Sequence, residues 1–145
     1  MNIDFRKIDE DNFDECVGLS VREDQRFVAS NLRSLAQAWL NPEALPRAIY
    51  VENVMVGFVM YLVDSGGGKL YLWRFMIDQR HQGKGYGTAA LGLLERIARA
   101  LSGVVRMELS TAPDNANGIK VYTKFGFVDT GILDDGEEVF VKELR

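Results

Sequence analysis

Cysteine, histidine and proline are scarce in this chain of 145 residues: Cys16 and His81 are each the only one of their kind, and there are three prolines. A lone cysteine excludes an internal disulfide, and one cysteine with one histidine leaves too few soft ligands for a zinc site, so no metal is expected. No apolar run approaches the roughly 18 residues that a membrane helix requires, so no membrane partner is expected. The start, Met1-Asn2-Ile3-Asp4-Phe5-Arg6, lacks a basic stretch followed by an apolar one, which points to a cytoplasmic location. Repeats and low-complexity tracts are missing, and Ser65-Gly66-Gly67-Gly68 is short enough to be a loop, so a single domain over residues 1–145 is expected. Positive charge is also short, with 17 Lys and Arg against 21 Asp and Glu, a net −4 and a pI near 5. That balance argues against nucleic acid and is compatible with a cationic small substrate.

What is present alternates between strand and helix patterns. Residues 3–8 alternate as a strand, and residues 11–21 place Phe13, Cys16, Val17 and Val21 on one helical stripe, with Asp9 or Asp11 as N-cap. A second helix over residues 30–40 repeats Leu32, Leu35, Ala36, Trp39 and Leu40 on one face and stops at Asn41-Pro42. Residues 48–52 and 54–63 read as a hairpin about Asn53. Residues 70–77 form a strand with few charges, expected at a central position buried on both faces. Leu91, Leu94, Ile97, Ala98 and Leu101 mark a long helix, residues 104–110 a strand, and residues 115–125 a short helix. Gly126-Phe127-Val128 leads into a strand, residues 134–137 turn, and residues 139–144 close the chain. The order predicts an α/β fold on a mixed, mostly antiparallel sheet of six to seven strands.

Between the strand 70–77 and the long helix lies Arg80-His81-Gln82-Gly83-Lys84-Gly85-Tyr86-Gly87. Glycines at a strand-to-helix junction let the backbone turn sharply and present successive N–H groups. The unpaired N–H groups and positive dipole end of the following helix complete an anion cradle that suits a pyrophosphate without metal. Arg80 and Lys84 add cationic reach. The same letters can be cut as Gly85-x-Gly87-x-x-Ala90, a dinucleotide fingerprint, with Glu108 near the place of a ribose-binding acid. Against that cut, several residues separate the strand from the first glycine, no further parallel repeats follow, and Glu108 falls inside a strand. A Walker-type loop is absent, since no Gly-Lys-Ser/Thr occurs. The turn alone leaves three readings: a carrier-pyrophosphate cradle, a dinucleotide turn, or a merely structural helix start.

Arg80-x-x-Gly83-x-Gly85 after an aliphatic strand end resembles the acetyl-CoA signature of the GNAT superfamily of N-acetyltransferases, Gln/Arg-x-x-Gly-x-Gly/Ala. Asn115-x-x-Gly118-x-x-x-Tyr122-x-x-x-Gly126-Phe127 is similar to that family's C-terminal block, some thirty residues downstream across one helix and one strand. Within the superfamily, Gln25-Arg26-Phe27-Val28, residues 34–38, Phe75-Met76-Ile77-Asp78 and the ending of residues 139–144 resemble a bacterial subgroup that acetylates spermine, spermidine or diamines. The chain departs from the pattern at Gly118, where alanine is usual, and at Trp73, where polyamine-acetylating relatives carry a carboxylate.

The resemblance implies an enzyme that transfers an acetyl group from acetyl-CoA to a primary amine, with acetyl-CoA as co-substrate and a small-molecule amine as partner. It implies a splay between the strands that end near Ile77 and begin near Val104, with Ile77 free to bond the pantetheine arm. Residues Gln82, Gly83, Lys84, Gly85, Tyr86, Gly87 and Thr88 would hold the pyrophosphate, joined by Arg80. Tyr122 takes the place of the general acid, although its spacing with Ile119 and Phe125 alone would make it core. Asn115 is both a pantetheine contact by resemblance and an N-cap by residue type. Glu108 is the candidate base if it points into the cleft. Glu23 and Asp24 lie where the acceptor site falls in this family, and Trp73 would stack on a cation or wall that site. A non-catalytic acetyl-CoA sensor and an acetyltransferase of an amino acid or protein amine are the alternatives. Homodimers through an edge strand or the C-terminus are common in the family.

Overall fold

Two tight turns set the antiparallel parts of the fold. Glu52 and Asn53 (φ 49° and 67°) and Asp135 and Gly136 (φ 50° and 80°) each place two left-handed residues in succession, the geometry that matches strand twist in a two-residue hairpin. Residues 1–25 and 28–145 are described by a computed structural model of the chain. Along it run β1 (Ile3–Lys7), α1 (Phe13–Gly18), α2 (Asn31–Leu40), β2 (Leu45–Val51), β3 (Val54–Asp64), β4 (Lys69–Ile77), α3 (Tyr86–Ala100), β5 (Arg106–Thr111), α4 (Ala116–Phe125), β6 (Val128–Asp134) and β7 (Glu137–Glu143). Short 3₁₀ turns at Glu23–Gln25 and Gln79–His81 interrupt the two loops that flank the later site, and no sequence pattern announced either.

The seven strands form one sheet in the order β1-β2-β3-β4-β5-β7-β6. Among them β4 and β5 pair in parallel and every other neighbour is antiparallel. The expected mixed α/β architecture is therefore present. A dinucleotide fold needs a succession of parallel units, and β5 is followed in the sheet by antiparallel β7, which removes that reading of the glycine turn.

Each face of the sheet carries its own core. On one, Leu91, Leu94 and Ala98 of α3 pack with Leu70, Leu72, Met107 and Leu109; on the other, Cys16 of α1 packs with Ala48, Phe58 and Met60. Gly57 lets β3 and β4 close between them, since a Cβ there would lie 2.3 Å from the Met76 carbonyl oxygen. β4 is central, as expected, but it is not sealed on both faces: Leu70, Leu72 and Met76 are buried and its other residues are half-buried, because the helices leave one end of it uncovered.

The two N-terminal helices differ from expectation. The N-cap position of α1 is Asn12, and Asp9 instead closes a turn by accepting from the Asp11 and Asn12 N–H groups at 2.9 and 3.2 Å. Ser30 caps α2 through the Arg33 N–H at 3.1 Å. Its buried face, however, is Asn31 and Ser34 with half-buried Leu35 and Ala38, while Leu32, Trp39 and Leu40 face solvent, Trp39 at 85% exposure. Asn31 Nδ2 donates to the Cys16 carbonyl at 2.8 Å, a bond that fixes the helix with its small and polar side inward.

Where the sheet opens decides where the site lies. β4 and β5 are paired from Lys69↔Arg106 to Leu72↔Leu109 and no further. On its other side β4 slips by one residue against β3, with Met60 opposite Arg74 and Tyr61 opposite Leu72, so Trp73 is an unpaired bulge residue. A bulge bends and twists its strand, and from this point β4 runs on to Ile77 paired with β3 but not with β5, leaving the splay expected between β4 and β5.

Candidate active site

The splay opens onto the glycine turn. Gly83 and Gly85 take φ values of 77° and 82°, the left-handed region that favours glycine, and a Cβ on either would project into empty space with no atom within 4 Å. Side chains there would fill the cleft, so their absence leaves the backbone as its wall. Gly85 is the N-cap of α3, and the Ala89 N–H bonds its carbonyl at 3.1 Å. The N–H groups of Tyr86, Gly87 and Thr88 precede the first intrahelical bond and are free to face an anion at the positive end of a helix of 15 residues.

A cleft of about 300 Å³ runs from this cradle through the splay. Phe75, Met76 and Ile77 of β4 form its floor, residues 117–122 of α4 one side, and Val21, Gln25 and Val28 the other. A second cavity of about 410 Å³ adjoins it through Val21, Val28 and Met76 and reaches back to Leu19, Glu23 and Asn31. The cleft has two ends of different character: backbone amides at one, the loop between α1 and α2 at the other.

α4 brings Tyr122 to the middle. Asn115 starts the helix as an N-cap, with Oδ1 accepting from the Gly118 N–H at 3.1 Å and Nδ2 donating to Thr111 Oγ1 at 3.0 Å. The departure at Gly118 has its reason here, since a Cβ at that position would lie 2.3 Å from Asn115 Nδ2. Gly126, at φ 115°, ends the helix, and the Gly126 and Phe127 N–H groups both return to the Tyr122 carbonyl. The ring of Tyr122 meets Phe127 edge-on at 6.0 Å and Phe75 at 6.5 Å. Desolvation among these groups pushes the Tyr122 hydroxyl up to about 12, so it stays protonated well above neutral pH.

Two polar residues tie the cleft's walls together. Gln82 Nε2 donates to the Ile77 carbonyl at 2.9 Å and to Gln25 Oε1 at 2.8 Å, so the Ile77 oxygen expected to be free already has a partner. Asp78, 1% exposed, accepts from the Ser20 N–H at 2.9 Å on one oxygen and from the Arg80 N–H and Nε at 3.1 and 2.8 Å on the other. Burial acts to raise this carboxyl, and the bonds from Arg80 and Ser20 outweigh it and hold the group below the usual carboxylate range.

Of the residues singled out in the sequence, Ile77, Gln82, Gly83, Gly85, Tyr86, Gly87, Thr88, Asn115 and Tyr122 meet along this one cleft. Others do not reach it. Glu108 sits where β4 and β5 are still paired, opposite Tyr71, and its carboxylate holds Lys69 at 2.9 Å with Arg106 at 4.0 Å; it does not line the cleft, which places it away from a base's position. Trp73 packs on the α1 and α2 side with the Arg74 guanidinium 5.4 Å from its ring centroid, and it lines neither cavity. Lys84 is exposed, and Arg80 is turned aside to Asp78. Glu23 borders the second cavity, and Asp24 pairs with Arg22 at 3.5 Å outside it. Arg26 and Phe27 of the Gln25-to-Val28 motif lie outside the described residues. Asp78, Gln25, Phe75 and His81 belong to the site and were not singled out for it; the one signal for Asp78 was an isolated acid between an apolar strand and a glycine turn.

A helix N-terminus with a glycine cradle, set beside a parallel pair that splays at a bulge, defines a transferase cleft for a carrier with a pyrophosphate and a long arm. Residues 5–127 match the Acetyltransferase (GNAT) family. The spermine/spermidine N(1)-acetyltransferase of Bacillus subtilis (strain 168) is 35% identical over 152 residues, covering 99% of this chain and 100% of that one. The L-2,4-diaminobutyric acid acetyltransferase of Streptomyces coelicolor is 26% identical over 98 residues, covering 59% and 57% of the two chains. An aminoglycoside acetyltransferase solved with coenzyme A shares the fold, with a TM-score of 0.80 at 16% identity over 98% of this chain and 95% of that one. The chain belongs to the GNAT family and is an acetyl-CoA-dependent N-acetyltransferase. The cradle fits that co-substrate without a metal, and no cluster of metal-ligating side chains occurs among the described residues.

Proposed function

We propose that this enzyme acetylates a primary amine of a small molecule, a polyamine or diamine, by direct attack with both substrates bound. The observation that carries the reading is the continuity of the cleft, from the amides at residues 83–88 past Tyr122 to the adjoining cavity beyond Val21 and Met76. Bound acetyl-CoA supplies an acyl group on a good leaving group. The N–H groups of residues 83–88 receive the pyrophosphate, and Gln82 yields the Ile77 backbone to the pantetheine arm. The amine enters from the α1–α2 side, sheds its proton to water at the cleft mouth, and takes the acyl carbon as the carbon–sulfur bond breaks. Tyr122 gives its hydroxyl proton to the departing sulfur, the proton that the acylated nitrogen sheds restores the hydroxyl through solvent, and the raised pKa keeps Tyr122 protonated across the working range. No Asp or Glu lines the main cleft among the described residues, so deprotonation of the amine is assigned to water rather than to Glu108.

The acceptor class is supported by the printed activity of the Bacillus relative. A second reading, a diamino acid as the acceptor, is supported by the printed activity of the Streptomyces relative. An amine panel with acetyl-CoA, followed by release of free thiol, separates the two. Faster turnover of spermidine than of 2,4-diaminobutyrate supports the polyamine reading, and the reverse order supports the diamino acid. Release no faster than the hydrolysis blank for every amine overturns both.

A further inference from the structure

Asp78 stands at the junction of three pieces of chain: the end of the splayed strand, the turn that leads to the glycine cradle, and the loop between α1 and α2. Both its oxygens are used, and they face opposite walls. One holds Ser20 on the acceptor side; the other holds Arg80 on the cradle side. Around it the backbone reinforces the same junction: the Gln79 N–H bonds the Ser20 carbonyl at 2.8 Å, the Asp78 N–H the Val56 carbonyl at 2.8 Å, and the His81 N–H the Asp78 carbonyl at 2.8 Å. Gln79 Nε2 also reaches Ser20 Oγ at 3.1 Å. Three residues on from Ser20 comes the 3₁₀ turn whose Gln25 lines the cleft, and three on from Arg80 comes Gly83.

We propose that Asp78 is a positioning residue that sets both walls of the cleft at once, one carboxylate oxygen fixing the acceptor-side loop and the other the cradle. The inference rests on the reading of the cleft given above. A carboxylate accepts on both sides; an amide of the same shape must point an N–H at one of the two donor sets, and the donor-against-donor clash displaces the shared side chain and with it both walls. The bond to Arg80 also needs the negative charge, whereas a bond to Ser20 alone would not.

The test is Asp78→Asn, with coenzyme A affinity measured by calorimetry and amine KM and kcat by thiol release. Setting an N–H against these donors at the buried Asp78 position costs about a factor of ten, so the Kd for coenzyme A and the KM for the amine should both rise by about that factor, with kcat changed less. Arg80→Ala, which cuts one side only, should raise the Kd for coenzyme A and leave the amine KM at its wild-type value. A folded Asp78→Asn protein with a lower Tm but unchanged Kd and KM, or with only one of them raised, overturns the proposal. Should Asp78→Asn fail to fold, the wild-type amide resonances of Ser20 and Arg80 decide: a shared titration midpoint on acidification supports it, and separate midpoints overturn it. Failure of the wild-type protein to bind coenzyme A would instead refute the reading of the cleft.

Discussion

The two walls of the cleft are built by different means. On the cradle side the wall is main chain: a left-handed Gly83, a left-handed Gly85 and the first turn of α3, with the Tyr122 side chain beside them. On the acceptor side it is a loop that holds, among its described residues, one three-residue 3₁₀ turn and is pinned by Ser20 and Gln25 to groups of the opposite wall. A backbone wall recognises what every acetyl-CoA has in common and tolerates little change in sequence. A side-chain wall adapts to the acceptor, and it borrows its order from the wall it faces.

The contrast is broken most directly at the one cradle-side group that acts through a side chain. Tyr122→Phe should lower kcat by about 10²-fold or more, the range of general acid catalysis, while the Kd for coenzyme A stays nearly constant. The burial that raises Tyr122 also fixes a sign: the alkaline fall of kcat governed by this group should come above the ordinary tyrosine value of about 10, since the protonated form is the active one. A Tyr122→Phe rate equal to that of the wild type, measured by thiol release at pH 7, would remove Tyr122 from the chemistry. The smallest effect is expected where the sequence suggested a base. Glu108→Gln should change kcat by less than about threefold and stability by about 1 kcal/mol or less, as for a half-exposed ion pair, when measured by steady-state rates and urea unfolding. A hundredfold loss of kcat with normal folding would return Glu108 to the mechanism.

The same difference explains what could be read in advance. Glycines at a strand-to-helix junction and an Asn-to-Phe block are local patterns with a local physical cause, and the residues they mark, Gly83, Gly85, Asn115 and Tyr122, come together in the cleft. The succession of strands and helices followed from periodicity and turn residues in the same way, whereas the seating of β7 between β5 and β6 did not. Partnerships across the fold were not legible. Nothing near Glu108 in sequence announces Lys69, and nothing near Asp78 announces Ser20, because the first pair is made by strand pairing and the second by the docking of the α1–α2 loop against the end of β4. Helix α2 misled for a related reason: its apolar letters repeat at helical spacing, yet Asn31 finds the Cys16 carbonyl and turns Leu32, Trp39 and Leu40 outward. The bulge at Trp73, which opens the splay, depends on register with β3 and leaves no mark in the letters.

Amide hydrogen exchange with and without coenzyme A tests the backbone account of the cradle most directly. Amides of residues 83–88 should exchange about tenfold more slowly or better in the complex, since hydrogen bonds to the ligand close groups that have no intrahelical partner. Unchanged exchange at residues 83–88 under saturating coenzyme A, with protection confined to residues 19–31, would contradict it.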